Sequence, residues 1–359
     1  MDIAFFRTLC NIRDFSLPAC IVRRDADVLL CTEQKAVYND ITSIPPHTFV
    51  TGWQNASGEN GQWHTWKSVE ACTSLPDPCW LNKASDLTLY SANTDNAAWS
   101  SSLDHDAFTQ SVQSMQEDMA RGEYFLANLT RTIEYTETID PIYVAMMSCV
   151  LHDTPFRFFY HDDQLTLLGL SPERFLKIEN GTITCEPMKG TAVDESDLLN
   201  NIKEHEENTM MIDLVRSDLS RVCEATSIRV VNRNHISLHP GLAQMSSVVE
   251  GSLQESVSLT DAVKQMMPIA SVTGTPKPYV VKKIPTYETR ERGIYCGAYG
   301  WIDTGSDTCD LAVGIRTIEM TPSHAQIGTG AGITLQSDPE SEWRETELKA
   351  SRLTQLVER

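Results

Sequence analysis

The chain has 359 residues and a mass of 40.1 kDa, enough for one large domain or two ordinary ones, and its 41% apolar content is that of a globular protein. Its 49 acidic and 29 basic residues leave a net charge of −20, which repels nucleic acid and anionic membranes. No apolar run reaches the roughly 18–20 residues of a membrane-spanning helix, and the opening MDIAFFRTLCNIRDF has an early acid and too short an apolar stretch for a signal peptide, so a cytoplasmic protein is expected.

The first hundred residues are rich in Ser, Asn and Trp, with turn-forming runs such as TGWQNASGENGQW and SLPDPCW, and predict short strands and loops. DHDAFTQSVQSMQEDMARG then spaces Phe108, Val112, Met115 and Met119 along one helix face, with Gly122 where a C-terminal cap belongs. FRFFYHDDQLTLLGL and FLKIENGTITCEP read as two hairpins, the second turning at Asn180-Gly181. EHEENTMMIDLVRSDLSRVC puts Met211, Leu214, Val215, Leu219 and Val222 on one side of a helix. RGIYCGAYGWID, DLAVGIRTIEM and HAQIGTGAGITLQ predict three more strands. The closing SDPESEWRETELKASRLTQLVE predicts a helix with Ser337 and Glu340 as a capping box and Pro339 in the first turn. With no repeat, low-complexity tract or linker, one mixed domain is the simplest account.

The ten cysteines fall below the density of a disulfide scaffold and include no CxxC pair, so buried reduced thiols are expected. Two helices carry the same acidic device: Glu204 and Glu207 on one, Glu342 and Glu345 on the other, each pair three residues apart and on one face. Solvated acids favouring the helix dipole explain such spacing equally well; if the faces converge, the oxygen-only set suits Mg²⁺. Lys349, four residues after Glu345, reads by itself as a helix-surface ion pair. GTGAG (328–332) follows a strand but precedes another β-like run and no G-K-[ST], which argues against a phosphate loop or dinucleotide fingerprint. A structural bulge or a close backbone approach to an anion remains.

Arg316, in a β-rich run between apolar neighbours, calls for a fixed acceptor, either a protein carboxylate or a ligand. Glu173, in SPERF, ends a strongly apolar strand where burial would raise its pKa towards that of a general acid. In CEPMKGTAV, Lys189 follows across the Asn-Gly hairpin, within plausible reach of Glu173, yet a solvated loop charge fits the spacing as well.

SPERF with a following PMKGT, then EENTMMIDLVRSDLSRV, SVTGTPKP, RGIYCGAYG, IRT and GAGITLQSDPESEWRETELKA, in that order, closely resemble the chorismate-utilising enzymes from about Asp104 to the C-terminus. That family includes anthranilate synthase component I, aminodeoxychorismate synthase component I, isochorismate synthase and salicylate synthase. The resemblance implies an α+β fold in which two antiparallel sheets pack as a sandwich with helices outside. Residues 1–103 would be a divergent part of the same sandwich and 104–359 the chorismate-binding catalytic region.

Carried over residue by residue, the resemblance implies Glu207 and Glu345 as principal Mg²⁺ ligands, with Glu204 and Glu342 beside them. Arg316, Tyr295 and the amides of Gly330 and Gly332 would take the enolpyruvyl carboxylate, while Thr273 and Lys349 would line the pocket. Lys189 separates the branches: the PxKGT lysine resembles the branch that aminates chorismate at C4, where the amine adds to C2 while Glu173 helps the C4 hydroxyl leave. That chemistry needs an unprotonated amine, whereas free lysine, with a pKa of about 10.4, is mostly charged. Leu126 stands where the isochorismate and salicylate branches carry a water-activating lysine. Gln244 replaces a histidine frequent near the substrate ring, and Thr275 the alanine of the GAPK motif. With no GxCxGxQ-like element, ammonia is expected from a separate glutamine amidotransferase subunit, and the product would be 4-amino-4-deoxychorismate. The alternatives are the anthranilate-forming activity and, from another class, a non-catalytic chorismate-binding homologue.

Overall fold

The computed structural model describes residues 5, 9, 17–24, 27–71, 99–152, 154–192, 195–199, 201–239 and 242–358. The strands are β1 (Ala19–Arg24), β2 (Asp27–Tyr38), β3 (Phe49–Gln54), β4 (Gly61–Ala71), β5 (Trp99–Ser101), β6 (Leu126–Tyr135), β7 (Phe156–His161), β8 (Thr166–Ser171) and β9 (Arg174–Glu179). They continue with β10 (Thr182–Glu186), β11 (Met188–Ala192), β12 (Arg229–His239), β13 (Leu242–Ser252), β14 (Gly274–Thr275), β15 (Ala298–Asp303), β16 (Thr308–Val313), β17 (Thr317–Thr321) and β18 (His324–Ile333). The helices are α1 (His105–Ala120), α2 (Pro141–Leu151), α3 (Glu195–Leu199), α4 (Ile202–Leu219), α5 (Leu259–Met266), α6 (Lys277–Tyr287) and α7 (Pro339–Val357).

Strand pairing runs antiparallel along one path, β13-β10-β9-β16-β15-β3-β4 and then β2-β1-β7-β8-β17-β18-β6. The path folds back on itself, so its two halves pack face to face as the expected sandwich, but as one continuous ladder instead of two separate sheets. Cys20, Val22 and Phe158 of one half meet Trp53, Tyr299 and Trp301 of the other in the core between them. Helices cover the outer faces: Ile212, Val215 and Val263 from α4 and α5 on one side, Val144, Met147, Leu353 and Leu356 from α2 and α7 on the other. Among the described residues no helix is long and apolar enough to cross a membrane.

Local chemistry explains most elements. Asp104 caps α1 by accepting from the Ala107 N–H at 2.9 Å, and Phe108, Val112, Met115 and Met119 are buried as their spacing predicts. Asn180 and Gly181 both take positive φ, 52° and 71°, the left-handed pair a two-residue hairpin turn requires. Cys20, Cys31, Cys149, Cys185, Cys223, Cys296 and Cys309 are free and buried.

Four readings change. The N-terminal strands are longer than expected, β2 and β4 having 12 and 11 residues. α7 is capped by Asp338, whose carboxylate accepts from Ser341 N–H at 2.9 Å, while Ser337 Oγ instead accepts from Thr334 N–H. DLAVGIRTIEM is two strands, and Arg316 lies in the break between them with φ 51°. Gly328–Gly332 is no bulge: β18 pairs with β6 residue for residue from Ala325–Tyr135 to Ile333–Ala127.

One close approach between the halves is a ring against a bare backbone. A Cβ on Gly169 of β8 would overlap the Tyr299 ring of β15, and Tyr299 Oη accepts from Ser171 N–H at 2.7 Å and donates to Phe156 O at 3.0 Å. Gly169→Ala is therefore expected to cost about 1–3 kcal/mol of stability through overpacking, measured by urea unfolding; an unchanged midpoint would mean the halves separate freely there.

Candidate active site

The residues singled out by sequence converge on one cavity of about 410 Å³, open to solvent. Its wall includes Glu173, Lys189, Glu207, Tyr295, Arg316, Gly330, Gly332, Glu345 and Lys349. They come from elements far apart in sequence: the β8–β9 turn, β11, α4, the turn before β15, the β16–β17 break, β18 and α7.

Glu173 is buried, 5% exposed. Burial pushes its pKa up to about 7, opposed by the neighbouring Ser271 hydroxyl, the Lys189 charge and the Met188 N–H. Its backbone is fixed by the Ser171 hydroxyl, which accepts from Glu173 N–H at 3.2 Å. Ser171 is in turn the residue held by Tyr299, so the ring between the halves also places this carboxyl.

Lys189 projects from β11 so that Nζ lies 4.0 Å from Glu207 Oε2 and 3.6 Å from where a Cβ would stand on Gly332. Glu345 Oε1 meets Lys349 Nζ at 2.5 Å, and the same ammonium donates to Gly330 O at 3.0 Å. Glu207 and Glu345 thus present carboxylates to the same space, each facing a lysine. Two carboxylates with room for ligand oxygens and water form the donor set that Mg²⁺ accepts.

Tyr295 explains the first glycine of the run. A Cβ on Gly328 would overlap the Tyr295 ring, so the bare β18 backbone is what admits the phenol to the wall. Burial holds the Tyr295 pKa well above the ordinary tyrosine value, so it remains a neutral phenol. The preceding turn is clamped: Arg292 donates to Glu288 at 2.6 and 2.9 Å, to Val272 O at 2.9 Å and to Asn128 O at 2.6 Å. Glu288 also accepts from Thr130 N–H at 2.9 Å.

Two expected residues are placed differently. Thr273 is 3% exposed and off the wall, its hydroxyl spent on Ile269 O at 2.7 Å; the single 3₁₀ turn Ala270–Val272 brings Ser271 and Val272 to the cavity instead. Glu342, on the first turn of α7, is buried and does not line the cavity. The Glu204 side chain lies outside the described residues. Among the described residues no three His, Cys, Asp or Glu side chains group as a metal site, so Glu207 and Glu345 stand as a pair.

Gln244, expected near the ring of the ligand, lines a second cavity of about 340 Å³ between the two halves. This cavity shares Pro172 and Met188 with the first. Sequence reasoning missed Ser271 and Arg352. A helical projection from Glu345 through Lys349 would have found Arg352, seven residues on and on the same face.

The profile of the chorismate binding enzymes matches residues 30–355, and the chain belongs to that family. It is 30% identical over 282 residues to anthranilate synthase component 1 of Aquifex aeolicus, covering 76% of this chain and 57% of that protein. It is 33% identical over 254 residues to an aminodeoxychorismate synthase of Streptomyces pristinaespiralis, covering 68% of this chain and 35% of that one. The chain thus spans little more than half the length of the former relative and about a third of the latter. The menaquinone-specific isochorismate synthase of Escherichia coli superposes with a TM-score of 0.80 at 17% identity, over 97% of this chain and 90% of that one, a likeness of fold alone.

The Glu173 shift has a consequence for stability. Between its unfolded value near 4.5 and its folded value of about 7, the folded state holds a proton that the unfolded state has lost. Its contribution is therefore fully present below the unfolded pKa and is lost as pH rises through 7. Between about pH 5 and pH 8 the protein should lose roughly 1–3 kcal/mol more stability than Glu173→Gln. Urea unfolding at both pH values checks this; equal losses would remove the elevated pKa.

Proposed function

We propose that the protein converts chorismate and ammonia to 4-amino-4-deoxychorismate, with Lys189 as nucleophile and Glu173 as general acid. The observation that carries this reading is the position of the Lys189 amine: inside the cavity, beside Gly332, sharing its wall with a buried carboxyl that holds its proton up to about pH 7. Lysine addition at C2 makes a covalent intermediate and divides one difficult displacement into two steps. Glu173 delivers its proton to the departing C4 hydroxyl. Ammonia then attacks C4, and the lysine leaves C2 with its bonding pair.

Arg316, Tyr295 and the Gly330 and Gly332 backbone would take the enolpyruvyl carboxylate, and Lys349 would hold the wall near the ring. Glu207 and Glu345 would hold Mg²⁺; bound there, the ion would supply positive charge for the ring carboxylate. The component 1 name of its relatives supports a partner, and a glutamine amidotransferase subunit delivering ammonia fits the proposed chemistry.

A second reading, formation of anthranilate and pyruvate from chorismate, is favoured by the names of several relatives. The two separate on product. Incubation with chorismate, Mg²⁺ and ammonium chloride should give 4-amino-4-deoxychorismate by mass and by coupling to an added aminodeoxychorismate lyase. Anthranilate with pyruvate would establish the second reading. Lys189→Ala should lose a chorismate adduct detectable by intact mass, and an adduct that persists would remove Lys189 from its role.

A further inference from the structure

The cavity wall carries four cations, Lys189, Arg316, Lys349 and Arg352, and three carboxyls, Glu173, Glu207 and Glu345. Lys189 faces Glu207 at 4.0 Å and Lys349 faces Glu345 at 2.5 Å. Burial keeps Glu173 protonated up to about pH 7. The charge left over is on Arg316 and Arg352. Among the described residues neither guanidinium has a hydrogen-bond or ion-pair partner. In a chain of net charge −20, two unmatched arginines on one cavity wall call for an anion.

Their surroundings hold them there. Arg316 sits in the break between β16 and β17 in the left-handed region, φ 51°, which a bulky residue adopts only when the fold imposes it; its carbonyl accepts from Leu170 N–H at 3.0 Å. Arg352 is on α7, one turn beyond Lys349 and about 10 Å along the helix axis from Glu345. His152 anchors that turn, its Nε2 lying 3.1 Å from Arg352 O. Burial first, then nearby Arg157, Arg316 and Arg352, pulls the His152 pKa down to about 4, so it adds no negative or positive charge beneath the arginines at neutral pH. Arg316 has its own pKa held below the usual arginine value by burial and then by the charge of Arg352, which places the two guanidinia within each other's field.

We propose that Arg352 is the second arm of a two-guanidinium receptor, with Arg316 the first, that grips one carboxylate of the ligand on the cavity wall one helical turn beyond Lys349. Two guanidinium forks on one carboxylate make charge-assisted bonds, and the carboxylate removes the repulsion they feel in its absence. The inference rests on the chorismate reading for the ligand's identity: its enolpyruvyl carboxylate would enter this receptor while its ring carboxylate lies towards Glu207 and Glu345. Arg352 is a binding and specificity residue here and takes no part in bond making.

The test is equilibrium titration of the full chain with chorismate in the presence of Mg²⁺, for wild type, Arg316→Gln, Arg352→Gln, Arg352→Lys and the double glutamine variant. Arg352 is an exposed helix residue, so its variants should keep the wild-type unfolding midpoint. Arg352→Gln should weaken binding roughly 10–100-fold, as expected for losing a hydrogen bond to a charged group. Arg352→Lys should recover part of it, and the double variant should fall short of the product of the single effects, because both arms hold one group. In turnover the loss should sit in KM, with kcat nearly unchanged. Wild-type affinity in Arg352→Gln, with Arg316→Gln weakened, would overturn the receptor. If the wild type binds no chorismate, the substrate reading fails by itself, and pyruvate becomes the probe. Pyruvate binding that is lost in Arg352→Gln would sustain the receptor, and absent or unaltered pyruvate binding would overturn it.

Discussion

The architecture depends on aromatic rings lodged against bare glycine backbone. Tyr299 lies on Gly169 and Tyr295 on Gly328, positions where a single Cβ would overlap the ring. The two rings stand four residues apart, at and just before the start of β15, yet they face opposite tasks. Tyr299 joins the two halves of the ladder, filling the core between them and bonding to Ser171 N and Phe156 O across the gap. Tyr295 forms the wall of the cavity. Because Ser171 also fixes the backbone of Glu173, the contact that closes the sandwich and the placement of the buried carboxyl are one arrangement. A ring is suited to this: it buries a large apolar area with two rotatable bonds and still offers a polar end.

The electrostatics of the cavity invert those of the chain. The surface is dominated by acids, but the wall pairs each of its two accessible carboxylates with a lysine, neutralises the third by burial and leaves arginines in surplus. Ion pairs in such a site are exchangeable in a way that buried hydrophobic contacts are not: a ligand carboxylate on the lysine and a divalent cation on the glutamate can together replace a lysine–glutamate contact without leaving either charge unpaired. Arg292 and Glu288 are different. They are buried and bonded to two backbone carbonyls and one backbone amide around the cavity; they fix the Tyr295 turn relative to β6 and the Val272 segment.

Much of this was legible in the sequence, and what was not has identifiable causes. The α1 face and the Asn180-Gly181 turn follow from periodicity and from φ preferences, which are local. Thr273 entered through resemblance, which carries no side-chain direction; after the 3₁₀ turn its hydroxyl meets Ile269 O, and Ser271 lies on the wall. The glycine run looked like a bulge because its partner is remote: Tyr295 lies more than thirty residues earlier, and only the folded chain brings its ring to Gly328. Arg352 was missed because a lone arginine on an amphipathic helix is usually solvated, and its meaning depends on Arg316 arriving from another layer. The ordered motifs placed the cavity residues together only through resemblance; spacing alone left Lys189 a loop charge.

Lys189 and Leu126 bear on which chemistry such a site favours. Both reach to 3.6 Å from the same point above Gly332, Lys189 with its amine and Leu126 with a methyl group. Leu126 is buried, on the first residue of β6, opposite Thr275 of β14. An ionisable or amide side chain at that position would hold water near the amine and offer it a hydrogen bond. A leucine methyl does neither, so the amine has an apolar neighbour on one side, bare backbone on another and the Glu207 carboxylate 4.0 Å away. A nucleophile that competes with water for the same carbon gains from such a neighbour, because the methyl side offers water no hydrogen-bond partner while a tethered amine loses no translational entropy on arrival. In the proposed reaction Leu126 therefore acts in the same direction as Lys189.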